Sequence, residues 1–477
     1  MKKIETDVAV IGAGSAGLAA YRAVRAQGKR AVIIESWEYG TTCARVGCMP
    51  SKLLIAAAEA AHAVDTAPAF GVDTGIVDVD GRAVMERVRR ERDRFVGFVV
   101  ESTEAIDPAD RLHGYARFED ANTLRVGEGV RVRADSVVIA TGSSPMLLPI
   151  FQDLGDRVIV NDDIFSWQDL PRSVAVFGPG VIGLELGQAL HRLGVRVVMF
   201  GKGGLVGPVT DPKLRDYAAA AFAQEFPLDA DADVDFIRRE GEQVVIRYRG
   251  ADDEWRIGRF DYVLAATGRV PNVSDLGLEN TGLALDARGV PLFDRETLQA
   301  GDSAIFVAGD ANNDRPLLHE ASDEGRIAGA NAARFPFVKR GVRTSPLAVV
   351  FSDPQMATIG SRYADLRPGC FVIGEVSFEN QGRSRVMLQN KGLLRVYADP
   401  CSGRLLGAEM IGPRAEHMAH LLAWAHQQGL SIDDMLGMPF YHPVVEEGLR
   451  TALRDAAAKL REGPSLVDPC NDCRTAA

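Results

Sequence analysis

"DVAVIGAGSAGLAAYRAVRAQGKRAVIIE", residues 7 to 35, decides the fold. An apolar run, Val8 to Ile11, reads as a strand, three glycines at 12, 14 and 17 as a turn, the next dozen residues as an amphipathic helix, and "AVIIE" as a second strand. Gly12 permits the tight turn, Gly14 lets backbone approach a pyrophosphate, and Gly17 lets the helix pack on the strand. Glu35 follows Gly17 by 18 residues, the spacing at which a carboxylate accepts hydrogen bonds from ribose hydroxyls. The stretch therefore predicts a dinucleotide held at a helix N-terminus, on a parallel sheet.

The pattern recurs. "VAVFGPGVIGLELGQALHRLGVRVVMFG", residues 174 to 201, carries Gly178, Gly180 and Gly183 in the same roles, so a second nucleotide is expected. Counting the same 18 residues from Gly183 reaches Gly201, followed by Lys202, where an NAD site usually has an acid. Without a carboxylate to repel a 2′-phosphate, the choice between NAD and NADP stays open. Three further apolar runs, "SVVIATGSSP", "DYVLAATGRVPN" and "AIFVAGDANN", stop at Gly142, Gly268 and Gly309. Each reads as a buried strand whose end lets main chain pass close to a ligand.

The chain has 477 residues, 46% hydrophobic and 25% charged, with a formal net charge of -11. That length suits about three domains, and the acidic balance argues against a nucleic-acid footprint. Lys2 and Lys3 precede an apolar stretch, but Glu5 and Asp7 interrupt it and its glycines suit a turn, against a secretory signal. No run is long and apolar enough for a membrane span. Six cysteines in so long a chain make no disulfide framework, and the expected location is cytoplasmic.

Two of those cysteines lie in "GTTCARVGCMPSK", residues 40 to 52. On an ideal helix, residues five apart have Cα atoms about 8.7 Å from each other, beyond the reach of a disulfide. A bridge between Cys43 and Cys48 would need a turn or distorted helix, and Gly47 is placed to relieve it. Pro50 suits the first turn of a following helix, so Cys48 would sit near a helix N-terminus, where the dipole favours thiolate. A metal site would need further ligands, and no histidine lies nearby; none is expected.

With these motifs the chain closely resembles the flavin-dependent pyridine nucleotide-disulfide oxidoreductases, in particular their dihydrolipoamide-oxidising branch. The resemblance runs from residue 3 to about 460 and includes "LLHEASDEGRIAG", "VVFSDPQMATIG" and "YHPVVEEGL". It implies an α/β architecture of two Rossmann-like nucleotide-binding domains and a C-terminal α+β dimerisation domain. The implied division is an FAD domain over 1–149 and 275–340, an NAD(P) domain over 150–274, a dimerisation domain over 341–462 and a tail from 463 to 477. FAD would be held by Gly12, Gly14, Gly17, Glu35, Lys52, Gly142, Gly309, Asp310 and Ala321. NAD or NADP would be held by Gly178, Gly180, Gly183, Glu185, Gly201, Lys202 and Gly268, Glu185 also partnering Lys52 at the flavin edge. The resemblance makes Cys43 and Cys48 a redox disulfide, Cys48 on the flavin side and Cys43 exchanging with substrate. His442, reaching across a homodimer interface, would be the base and Glu447 its orienting partner, although Glu446 adjoins it. The implied reaction oxidises protein-bound dihydrolipoamide with NAD, and the implied partners are a lipoyl-bearing protein or a small disulfide substrate.

Three departures bear on the substrate. Arg45 stands between the cysteines where relatives usually have Asn, and is expected either to lower a thiol pKa or to face solvent; Val444 replaces a usual Thr. The tail ends "PSLVDPCNDCRTAA", and its Cys470 and Cys473 resemble the terminal dithiols of mercuric reductases and large thioredoxin reductases. That resemblance keeps a second reading open, an NADPH-dependent disulfide or mercuric reductase. A third, from another class, is a flavoprotein that only binds partners or senses nucleotide.

Overall fold

A computed structural model describes residues 2–76, 78–250 and 252–462; Cys470 and Cys473 lie outside them. The opening stretch forms strand β1 (Lys2–Ile11), helix α1 (Ser15–Ala26) and strand β2 (Ala31–Glu35), in the order read from its glycines. β1 pairs in parallel with β2 on one side and with the strand Val130–Ile139 on the other. The strand Ile305–Val307 returns some 170 residues later to pair with the same strand's last three residues. Parallel strands buried on both faces need continuous apolar runs; Val8, Ala9 and Val10 are fully buried, as are Val137, Val138 and Ile139.

The register brings distant glycines together. Ile11 pairs with Ile139 and Ile139 with Val307. Gly12, Gly142 and Gly309 therefore sit just beyond the C-terminal ends of three adjacent strands, where ligands bind in open α/β sheets. The helix Leu318–Ala332 packs on α1 at backbone contact: a Cβ on Gly325 would lie 2.2 Å from Ala16 O, and one on Gly329 2.3 Å from Ala20 O. The small residues of "EGRIAGANA" are thus required by helix packing.

The second unit repeats the plan with strands Ser173–Phe177 and Arg196–Phe200 about the helix Val181–Arg192, in a five-stranded parallel sheet. It carries an antiparallel meander, Val234–Glu240, Gln243–Arg249 and Trp255–Phe260, that glycine patterns alone do not announce. A third unit is a five-stranded antiparallel sheet, Leu347 to Gly412, covered by the helices Ala415–Gln427 and Glu447–Glu462. There a Cβ on Gly374 would lie 2.2 Å from Ala452 O, again helix against strand at backbone distance. Glu409 in this sheet is fully buried and accepts from Thr210 N (2.7 Å), Thr210 Oγ1 (2.6 Å), Asp211 N (2.9 Å) and Tyr363 N (2.8 Å). Four donors satisfy the charge and bind the second unit to the third. Among the described residues no helix is long and apolar enough to cross a membrane.

Candidate active site

The redox segment is two helices broken at one glycine. Thr41 caps α2 (Thr42–Val46), its hydroxyl accepting from Ala44 N at 3.4 Å, and α3 (Cys48–Thr66) starts after Gly47. A Cβ on Gly47 would meet Thr42 O at 3.1 Å and Cys43 Cα at 3.2 Å, so any other residue would crowd the fold-back by a few tenths of an ångström. The break brings the two thiols close enough to interact with each other. α3 begins at Cys48 itself, with Pro50 third, and the Cys48 thiol lies at the positive end of a 19-residue helix.

Both cysteines are thiols here, and Cys43 donates a hydrogen bond to Cys48. That bond, helped by the Lys52 charge and opposed by burial, lowers the Cys48 thiol to about 7. Donation to Cys48 and burial push the Cys43 thiol well above its usual range. One proton therefore stays on Cys43 while Cys48 is the thiolate. In reduced holoenzyme the alkylation rate of Cys48 should rise with a midpoint near pH 7. Lys52→Met should move that midpoint upward, and an unmoved midpoint would remove Lys52 from the electrostatics of the pair.

Lys52 Nζ lies 2.7 Å from Glu185 Oε2, on the helix Val181–Arg192 of the second nucleotide unit. Glu185 is 5% exposed, and its other oxygen accepts from Phe351 N at 3.0 Å. Lys52 Nζ also stands 4.6 Å from the Phe351 ring centre. Glu185 is thus joined to Lys52 rather than to the glycine turn of its own unit.

The two glycine turns match in detail. Gly12 and Gly178 have φ of +105° and +103°, and a Cβ on either would lie 2.3 Å from a backbone oxygen, of Ala140 and Ala266 respectively. A Cβ on Gly17 would strike Gly12 O at 1.8 Å, and one on Gly183 would strike Gly178 O at 2.0 Å. Beside Gly14 and Gly180 there is open space. Each turn is thus a cradle whose walls tolerate no side chain and whose mouth faces a helix N-terminus, as a pyrophosphate needs. Glu35 ends β2 with its carboxylate set by Ala13 N (2.8 Å) and Trp37 N (3.0 Å). Thr141 Oγ1, beside Gly142, is buried with no partner among the described residues. Asp310 accepts from Ser143 Oγ at 2.8 Å, and Ser143 Oγ accepts from Arg269 Nε at 2.8 Å. Ala321 and Gly309 are buried together, a Cβ on Gly309 falling 3.3 Å from that of Ala321. Gly268 has φ of +115° at the mouth of the second sheet. These features fit two dinucleotides.

His442 and Glu447 meet at the start of the last helix, Nδ1 lying 3.0 Å from Oε1 and 3.1 Å from Oε2. The choice between Glu446 and Glu447 falls to Glu447, whose carboxyl the His442 ring holds below the usual range. Val444 contributes its backbone N, 3.3 Å from Glu447 Oε2. The imidazole is 82% exposed on this chain.

Arg45 is spent on the loop beside it, with its side chain 32% exposed. Its Nε and Nη2 both donate to Tyr39 O, the former at 2.8 Å, and Nη1 pairs with Glu38 at 3.0 Å. The guanidinium braces the loop between β2 and α2 through these contacts. Other contributors carry no local signature. Asn161, 6% exposed, donates to Val46 O at 2.9 Å, the carbonyl just before the break. Buried Glu324 accepts from Gly309 N (2.7 Å) and Arg343 Nη2 (2.7 Å), and burial, partly offset by Arg343, pushes its carboxyl up to about 7. Among the described residues no group of three or more His, Cys, Asp or Glu side chains is arranged to hold a metal ion.

Residues 6–325 match the profile of the pyridine nucleotide-disulphide oxidoreductases, and residues 347–453 that of their dimerisation domain. The chain belongs to this family. It is 31% identical over 470 residues to a dihydrolipoyl dehydrogenase of Haloferax volcanii, covering 94% of this chain and 96% of the relative. A mercuric reductase of Shigella flexneri is 30% identical over 463 residues, covering 93% of this chain and 80% of that one. The fold superposes on a crystal structure of LpdA from Mycobacterium tuberculosis with a TM-score of 0.79 at 23% identity, covering 94% and 99% of the two chains. It also superposes on a hypochlorous-acid-induced flavoprotein disulfide reductase, RclA, of Escherichia coli with a TM-score of 0.76 at 24% identity, covering 97% and 100%. The family member described here is a flavoprotein disulfide oxidoreductase using FAD and NAD(P).

Proposed function

We propose that this enzyme exchanges two electrons between a dihydrolipoamide-type dithiol and a nicotinamide nucleotide, as a homodimer, through Cys43 and Cys48. The observation that carries the reading is the unequal pair of thiols, joined by a hydrogen bond at a helix N-terminus with Lys52 close by. The His442–Glu447 pair supports a dithiol as substrate, because oxidising one releases two protons that need a base near neutral pH.

From the oxidised pair, a substrate thiolate attacks Cys43, and Cys48 leaves as the more acidic thiol. The second substrate sulfur then attacks the mixed disulfide, closes the substrate disulfide and releases Cys43. The substrate loses two electrons and two protons; the Cys43–Cys48 bond gains the electrons. His442 of a second copy, held by its own Glu447, takes the attacking thiol's proton through Nε2 and keeps it, while the second substrate proton passes to the released Cys43, so that the two protons end on the imidazole and on Cys43 with Cys48 left as thiolate. FAD would be held by the first glycine turn with Glu35, Asp310 and Ala321, and when bound would supply the two-electron redox chemistry that links the thiol pair to the nicotinamide nucleotide. Lys52, fixed by Glu185, keeps a positive charge beside the thiolate.

Anaerobic titration of oxidised holoenzyme with dihydrolipoamide tests this. One equivalent should generate two enzyme thiols and the long-wavelength absorbance of a thiolate packed on oxidised flavin. No change in thiol count or spectrum would favour a binding or sensing flavoprotein. A lipoyl-bearing protein is the partner class this chemistry fits.

A further inference from the structure

The strand Arg196–Phe200 runs into "GKGG", the position where the first unit carries Glu35. No acid fits at Gly201. A Cβ there would lie 2.5 Å from Ala230 O and 2.8 Å from Ala230 Cα, because Gly201 N donates to Asp229 O (2.6 Å) and Ala232 N to Gly201 O (3.0 Å). The neighbouring chain is laced to this residue on both sides, and the obstacle is backbone rather than a movable side chain. The ribose-binding carboxylate that selects NAD is therefore excluded by packing.

What stands in its place is a cation. Lys202 is 86% exposed, the next residue along, with Nζ 3.6 Å from Asp231 Oδ1. Asp231 is already engaged: Gly203 N donates to the same oxygen at 2.9 Å, and that bond with the Lys202 charge holds its carboxyl below the usual range. Arg215 braces the turn from beneath, donating to Gly204 O at 2.9 Å. A turn with no acid at its strand end, and with an exposed ammonium whose one carboxylate neighbour is shared with a backbone N–H, suits the dianionic 2′-phosphate of NADP rather than a bare ribose diol.

We infer that the second nucleotide site selects NADP(H) over NAD(H), with Gly201 permitting the 2′-phosphate and Lys202 as its counter-charge. The inference rests on the proposed dithiol chemistry for its physiological meaning, but not for its test. Calorimetry of the oxidised holoenzyme with NADP+, NAD+ and adenosine 2′,5′-bisphosphate involves no thiol, so its failure and that of the redox reading are separable.

At low ionic strength NADP+ should bind at least about tenfold more tightly than NAD+, with the gap shrinking as salt rises. Lys202→Ala should weaken NADP+ and the bisphosphate by about tenfold, the scale of one exposed charge-assisted contact, and leave NAD+ within about twofold. Lys202→Arg should keep the preference. Asp231→Asn should strengthen NADP+ or leave it unchanged. NAD+ binding as tightly as NADP+, or Asp231→Asn selectively weakening NAD+, would overturn the inference, the latter by making Asp231 the ribose acceptor.

Discussion

Replacing Cys43 by serine is expected to lower dithiol–disulfide turnover by about 10³-fold or more, the scale of losing a covalent nucleophile, while leaving FAD content and flavin reduction by nicotinamide nucleotide near wild type. Cys48→Ser should be as damaging to turnover, but the two variants should differ in colour. A serine hydroxyl at 43 can still donate to Cys48, and that donation is the largest influence lowering the Cys48 thiol. Lys52, the next favourable influence, is untouched. Cys43→Ser should therefore keep a thiolate at 48 and its long-wavelength absorbance on oxidised flavin. Cys48→Ser removes the sulfur that carries the charge, and Cys43, a thiol held well above its usual range in the native pair, is the poorer thiolate. Stopped-flow flavin reduction, thiol titration and the visible spectrum check the pair together. A Cys43→Ser enzyme turning over within tenfold of wild type would end the proposed chemistry.

The unequal placing of those two cysteines is partly legible in the sequence. Gly47 and Pro50 announced a broken helix with Cys48 at an N-terminus, because backbone conformation is a local property that single residues control. The two glycine turns are legible for the same reason, and steric walls account for Gly12, Gly17, Gly178 and Gly183, while Gly14 and Gly180 border open space. What escaped was action at a distance. Asn161 reaches Val46 O across 115 residues, and Phe351 N reaches Glu185 across 166; neither partner carries a pattern that marks it. Arg45 misled because a cation between two cysteines suggests electrostatics, whereas its direction is set by the Tyr39 carbonyl. Gly201 could be read only as a missing acid. The reason an acid cannot return there is the backbone at Ala230, which sheet pairing supplies and sequence spacing does not.

His442→Gln is expected to reduce dithiol oxidation by about 10²- to 10⁴-fold, the range for losing a positioned general base, with flavin reduction by nucleotide unaffected because no thiol proton moves in that half. Glutamine keeps the bulk and a hydrogen bond to Glu447 but cannot accept and release a proton near neutrality. Glu447→Gln should be milder, because it removes the group that orients the base and not the base itself. The carboxylate, with both oxygens within 3.1 Å of Nδ1, holds the ring in place, and an amide offers only one acceptor for that contact. The ring is 82% exposed on its own chain, so the proposed task requires a second copy to bring it to a thiol pair. That requirement has a sharp consequence for mixed dimers. In a dimer of one Cys43→Ser subunit and one His442→Gln subunit, a base acting across the interface leaves one site doubly damaged and the other fully native. A base acting within its own chain leaves both sites dead. Refolded or co-expressed heterodimers, purified through two different tags, should therefore regain about half the activity of a native dimer from two parents that have almost none. Parents and hybrid equally inactive would place the base within its own chain or on another residue.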